Sequence, residues 1–142
     1  MAAMGAEDTD GVSRAREMAD RDPTNRALGI ELVEVGPGRA TLRMRVGEAM
    51  LNGHGTMHGG YLFLLADAAF AVACNTHGPV TVAQGAQVSF LRPARAGEEL
   101  TAAAVERERA GRSGIYDVTV RRAGGETVAE FRGQSAMLAG RP

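Results

Sequence analysis

The stretch from Tyr61 to Cys74, YLFLLADAAFAVAC, is apolar at every position but one. Its apolar residues fall all round a helix and not on a single stripe, which marks a helix enclosed on all sides. At ~1.5 Å per residue it is about 20 Å long. His77-Gly78-Pro79 stops it, and the glycine-rich His54-Gly55-Thr56-Met57-His58-Gly59-Gly60 leads into it. Whatever else this chain forms has to wrap that rod.

The rest of the sequence supplies the wrapping. Leu28 to Glu34 and Arg39 to Val46 alternate apolar and polar residues about Gly36-Pro37-Gly38, which predicts a hairpin. In its second arm Ala40, Leu42, Met44 and Val46 share one face. After the helix come four further runs, Val80 to Phe90, Leu100 to Arg109, Ser113 to Arg122 and Thr127 to Met137. Clean alternation in IYDVTV and TVAEFRGQS favours an antiparallel sheet with one wetted face. Upstream, Ser13 to Arg21 reads as a short helix with Ser13 as N-cap, ended by Asp22-Pro23. The fold class is therefore α+β, an antiparallel sheet curled around one long central helix. A chain of 142 residues is one domain, taken as 13–142 behind a flexible or disordered leader, 1–12. A flank left open by one sheet would be sealed by a second copy.

Composition excludes several classes. The net charge of -1 lacks the basic stripe of a nucleic-acid binder. All sixteen basic residues are arginine, which reflects codon bias. No apolar stretch approaches the ~18 residues of a membrane span, and the start lacks the pattern of a secretory signal. The single cysteine, Cys74, rules out an internal disulfide, suits a reducing cytoplasm, and lies in the apolar run as a buried thiol.

Asp67 breaks the pattern of the buried run. A carboxylate in apolar surroundings is costly unless bonded or solvated in a cleft, and Asp has poor helix propensity. Such a double violation marks either a functional group or a carboxylate that ties down a neighbouring loop. The helix opens at His58-Gly59-Gly60, where the first N–H groups lack internal partners. They can bind an anion or a developing oxyanion, and glycine there lets a carbonyl come close; the plainer alternative is a tight turn. Gly59 and Asp67 are about 12 Å apart along a helix axis. If both act on one carbonyl, they come from different chains related by a two-fold axis. His54 and His58 have a metal-like i, i+4 spacing, but the surrounding glycines forbid the helix it requires, so no metal is expected. His77 suits a helix C-terminus. Tyr61, Phe63, Phe70 and Tyr116 line either an acyl pocket or the core.

Asn52, the HGTMHGG segment ending at Gly60, the helix carrying Asp67, FLRPARAGEEL from Phe90, and GIYDVTVRRAGGETVAEFRGQSA from Gly114 together resemble the PaaI-like thioesterases. That resemblance implies a hotdog fold and hydrolysis of acyl-CoA, phenylacetyl-CoA or its ring-hydroxylated forms above all. The CoA ester is the substrate, and no cofactor is implied. It assigns Gly59 as oxyanion donor, Asp67 as general base or nucleophile, and Asn52 as the group orienting carbonyl or water. His58 becomes a supporting residue of the oxyanion turn. Gly60, Arg92, Arg112 and Ser113 become substrate-binding positions. It further implies a homodimer with composite sites, assembled as a homotetramer in the cytoplasm. One departure is Gly85, where relatives often carry Ser or Thr; Gln84 or Gln87 would have to substitute. Two rival readings remain: a hotdog dehydratase or hydratase using Asp67 with His58, and a non-catalytic acyl-CoA-binding protein.

Overall fold

The computed structural model describes residues 2–138. Helix α1 (Ala2–Arg21) and a short α2 (Pro23–Leu28) precede the hairpin β1 (Glu31–Gly36) and β2 (Arg39–Arg45). A single 3-10 turn (Glu48–Met50) and a loop lead to α3 (Gly59–Cys74), followed by β3 (Thr81–Phe90), β4 (Glu99–Ala110), β5 (Ser113–Arg122) and β6 (Thr127–Met137). The six strands form one antiparallel sheet in the order β1-β2-β4-β5-β6-β3. The sheet curls over α3 in the hotdog arrangement expected from the sequence.

The inner face of the sheet follows the alternation. Ala40, Leu42 and Met44 of β2, Leu100, Ala102 and Ala104 of β4, and Tyr116, Val118 and Val120 of β5 are buried. Alanines on β2 and β4 keep that part of the sheet thin, so α3 lies close to it. Larger rings fill the other side. Phe70 of α3 packs 5.6 Å from Tyr116 and 5.8 Å from Phe131, centroid to centroid. Gly133 makes room for it: a Cβ there would lie 2.8 Å from the Phe70 ring. Burying one such ring is worth about 1.5–3 kcal/mol.

One expectation changes. The first helix begins at Ala2 instead of Ser13, and Ser13 lies exposed inside it. Gly11, Ala15 and Ala19 form a buried stripe at helical spacing. A Cβ on Gly11 would lie 2.1 Å from the Thr76 carbonyl oxygen, so the helix backbone touches the end of α3 there. Tertiary contact therefore carries a helix through a residue of poor propensity. Asp22 then caps a second helix: its Oδ1 accepts the Asn25 N–H at 3.0 Å, with Pro23 following and Gly29 closing the helix at φ +72°. Met1 of the leader lies outside the described residues.

Enclosure by one chain is partial, in line with the open flank expected. Leu62, Leu65, Ala66, Ala69, Phe70, Val72 and Ala73 of α3 are buried against the sheet. Leu64, Asp67, Ala68 and Ala71 lie on a stripe at helical spacing that is only half-buried. One sheet covers one side of a rod, so the all-round apolar pattern exceeds what a single chain buries. At the sheet margin, β3 is a ten-residue edge strand whose Val82 and Phe90 are 42% and 54% exposed. An edge so long and apolar is usually covered by another chain.

Candidate active site at the start of the central helix

The loop before α3 is built around Asn52. Its Oδ1 accepts the backbone N–H of His54 at 2.9 Å and of Thr56 at 3.1 Å, and its Nδ2 lies 3.2 Å from Thr56 Oγ1. Such an Asx arrangement supplies the turn that the glycines permit, with Gly55 at φ +82°. The loop is pinned by Met57 N–H to Ala94 O and His58 N–H to Met50 O, each 2.8 Å. One Nδ2 hydrogen of Asn52 remains for a ligand.

His58 is the N-cap of α3, extended at ψ 134°, with an exposed side chain that makes no capping bond. Helical bonding starts with Tyr61 N–H to His58 O at 3.0 Å. The N–H groups of Gly59 and Gly60 have no partner among the described residues. They stand at the positive end of a sixteen-residue helix. Gly59 borders a cavity of about 450 Å³ with Asn52, Met57, Leu62, Phe90 and Arg92. Apolar walls with a few convergent polar groups are what a small-molecule site requires. Asn52, Gly59 and Arg92 are thus brought together, while Gly60 and His58 flank them from the solvent side.

Asp67 is two turns further along. It is half-buried, and its carboxylate has no hydrogen bond or ion pair among the described residues. Burial pushes its pKa above the usual carboxylate value. An unpartnered carboxylate with raised basicity can take a proton from water, so the loop-tying alternative has no support. Eight residues of helix still separate it from Gly59, about 12 Å.

Residues 54–129 match the model of the thioesterase superfamily. The chain is 44% identical over 126 residues to the acyl-coenzyme A thioesterase PaaI of Escherichia coli, covering 89% of this chain and 90% of that one. The chain belongs to the thioesterase superfamily. It is also 44% identical over 108 residues to a putative esterase of Deinococcus radiodurans, covering 75% of this chain and 73% of the other. The solved structure of the E. coli PaaI protein from the phenylacetic acid degradation operon superposes with a TM-score of 0.88 at 41% identity, covering 95% and 96% of the two chains. The protein is a thioesterase-superfamily hydrolase acting on thioester bonds.

Arg92, in the loop after β3, is held against the start of β6, with Nη1 donating to Thr127 O at 2.7 Å and Nε 3.1 Å from Glu126. Arg112 and Ser113 lie at the far end, where Met137 N–H donates to Arg112 O. Ten residues of strand separate the two places, roughly 30 Å. Gln84 is the extra residue of a bulge in β3, and Gln87 pairs with Arg132 on the sheet face turned away from α3. Gly85 pairs with Gln134, whose Oε1 would be 2.8 Å from a Cβ at that position.

Tyr116, Phe70 and Phe131 are core rings, and Phe63 is edge-on to Phe131 at 5.3 Å. His77 Nε2 lies 2.7 Å from Glu106 Oε1, which also accepts the Tyr116 hydroxyl at 2.9 Å, so His77 is a structural tie. Cys74 is 2% exposed, and burial pushes its thiol up to about 12. No metal-binding cluster occurs among the described residues, and none of their helices is long and apolar enough to cross a membrane. Sequence reading passed over two contributors. Phe90 covers Gly59, and Arg122 bonds Pro93 O and pairs with Glu98 at 3.6 Å, holding the pocket wall. A lone arginine on an alternating strand gives no signal of that role.

Proposed function

We propose that this thioesterase hydrolyses acyl-CoA as a homodimer, with Gly59 of one subunit and the partner subunit's Asp67 meeting on one thioester. The carrying observation is the unpartnered, half-buried Asp67 on the side of α3 that its own sheet leaves open. Pairing two β3 edges about a two-fold axis continues the sheet and covers that stripe. Because the strands then run antiparallel, the Arg92 end of one subunit meets the Arg112–Ser113 end of the other. That accounts for binding groups that lie so far apart in one chain. The exposed Val105 on the outer face is available for a second dimer, giving a tetramer.

In the reaction, the Gly59 N–H polarises the thioester carbonyl, and Asn52 Nδ2 orients it or the water. The partner subunit's Asp67 takes a proton from water as it attacks the carbonyl carbon. The C–S bond then breaks and CoA leaves as the thiolate, which collects the proton. In the alternative, Asp67 itself attacks from the same geometry, expels the CoA thiolate and leaves a mixed anhydride that water hydrolyses to the free acid. Neither route calls for a cofactor. The favoured acyl group is phenylacetyl or its ring-hydroxylated form, in keeping with the phenylacetic acid operon of the E. coli relative. A CoA-ester substrate and a free cysteine fit the cytoplasm. A dehydratase using Asp67 with His58 would change enoyl absorbance and release no thiol. The test is thiol release from phenylacetyl-, hydroxyphenylacetyl-, benzoyl-, acetyl- and decanoyl-CoA by wild type and Asp67→Ala. Asp67-dependent release, fastest on aryl-acetyl esters, is the expected result. Equal turnover by a folded Asp67→Ala protein would sink the assignment.

A further inference from the structure

Phe90 is the last residue of the edge strand β3 and is 54% exposed, although it is among the largest apolar side chains in the molecule. Its ring nevertheless rests against Gly59: the ring carbons would lie 3.0, 3.2 and 3.4 Å from a Cβ at that position. The same ring lines the cavity that holds Asn52 and Gly59, together with Leu62 and Leu91. An aromatic surface therefore stands beside the unpartnered N–H that receives the carbonyl, with half of its area left uncovered by its own chain. Glycine at 59 follows from this contact as well, since any side chain there would push the ring away.

We propose that Phe90 is a specificity-determining residue, whose exposed ring packs on a planar aryl group attached near the thioester carbonyl and so favours aryl over linear acyl groups. The inference rests on the acyl-CoA hydrolase reading above. Ring pairs prefer offset or edge-on contact at centroid separations of about 4.5–7 Å. That spacing is compatible with a carbonyl on Gly59 N–H and an aryl ring one methylene away. A linear chain gains only area from the same wall, and the two classes should respond differently to loss of the ring.

The experiment compares kcat/KM for phenylacetyl-CoA and hexanoyl-CoA in wild type, Phe90→Leu and Phe90→Ala, with Val82→Ala as a β3 control. Phe90→Leu keeps an apolar wall and removes the ring. The aryl-to-linear ratio should fall about threefold to tenfold in Phe90→Leu, by the usual worth of a ring pair, and at least as far in Phe90→Ala. Val82→Ala should leave the ratio unchanged. An unaltered ratio in both Phe90 variants overturns the proposal, as does an equal fall in Val82→Ala, which would mark a general effect of the edge strand. A wild type that cleaves hexanoyl-CoA but not phenylacetyl-CoA overturns it too, and with it the aryl part of the substrate reading. A wild type inactive on every ester sinks the hydrolase reading itself, and the role of Phe90 with it.

Discussion

The two ends of α3 are built on opposite principles. At the C-terminal end the polar groups are engaged. Asn75 Nδ2 donates to Ala71 O and Thr81 O, and Asn75 Oδ1 accepts the Thr81 N–H. Thr76 Oγ1 donates to Ala73 O and accepts the Gly38 N–H at 2.8 Å. Glu106 accepts from both His77 and Tyr116, while Gly11 of α1 presses on the Thr76 carbonyl. At the N-terminal end His58 makes no cap, two glycine N–H groups are open, and an aromatic ring is half uncovered by its own chain. One end has its stabilising bonds made. The other keeps groups unsatisfied that a ligand can satisfy, and local rules are usually broken where function needs it.

This contrast predicts that changes near the open end and Asp67 cost turnover and spare stability, with the reverse at the closed end. The largest effect is Asp67→Ala. Loss of general-base catalysis should lower kcat at least about a hundredfold, without lowering the melting temperature. Next, Gly11→Ala drives a methyl into the Thr76 carbonyl and should cost about 1–3 kcal/mol by overpacking, read by urea unfolding, with kcat retained. Tyr116→Phe removes one of two donors to Glu106 and should cost about 1–2 kcal/mol, again without a change in kcat. If either closed-end variant loses turnover in proportion to its stability, the two ends are coupled and the contrast fails.

The smallest effect sharpens the contrast through pH. The folded pKa of Asp67 is raised by burial, so the native state holds its proton more tightly than the unfolded chain. Stability from this group is therefore greatest below the ordinary carboxylate range and declines as pH rises through the raised value. Asp67→Asn has no such decline. It should melt above wild type at neutral pH, and the gap should close on acidification through the carboxylate range. A constant gap, or none, would mean that Asp67 is solvated and no more basic than usual.

Much of this was legible beforehand where a local pattern had only one physical outcome. The all-apolar helix demanded a wrapping sheet, the alternation in β2, β5 and β6 chose the inner face, and Asp67 stood out against its neighbours. What escaped depended on contacts between distant residues. The extension of α1 to Ala2 depends on Gly11 meeting Thr76, and nothing near Gly11 announces that. The engagement of Asn52 by its own loop is a matter of side-chain direction. The wide separation of Arg92 from Arg112 and Ser113 follows from strand register, which a list of motif residues does not encode. Phe90 read as an ordinary strand residue because its partner, Gly59, has no side chain to record the contact.

The burial of Cys74 has a practical consequence for the chemistry this protein catalyses. Turnover of a CoA ester is followed with a disulfide dye that traps free sulfhydryls, and a protein with its own reactive cysteine contaminates that signal. Here the one cysteine is 2% exposed and burial pushes its thiol up to about 12, so the folded enzyme is silent to the dye. Only a chain that has opened α3 reports. The same cuvette without substrate then becomes a clock for opening of the core, counting one equivalent of dye per molecule that unfolds.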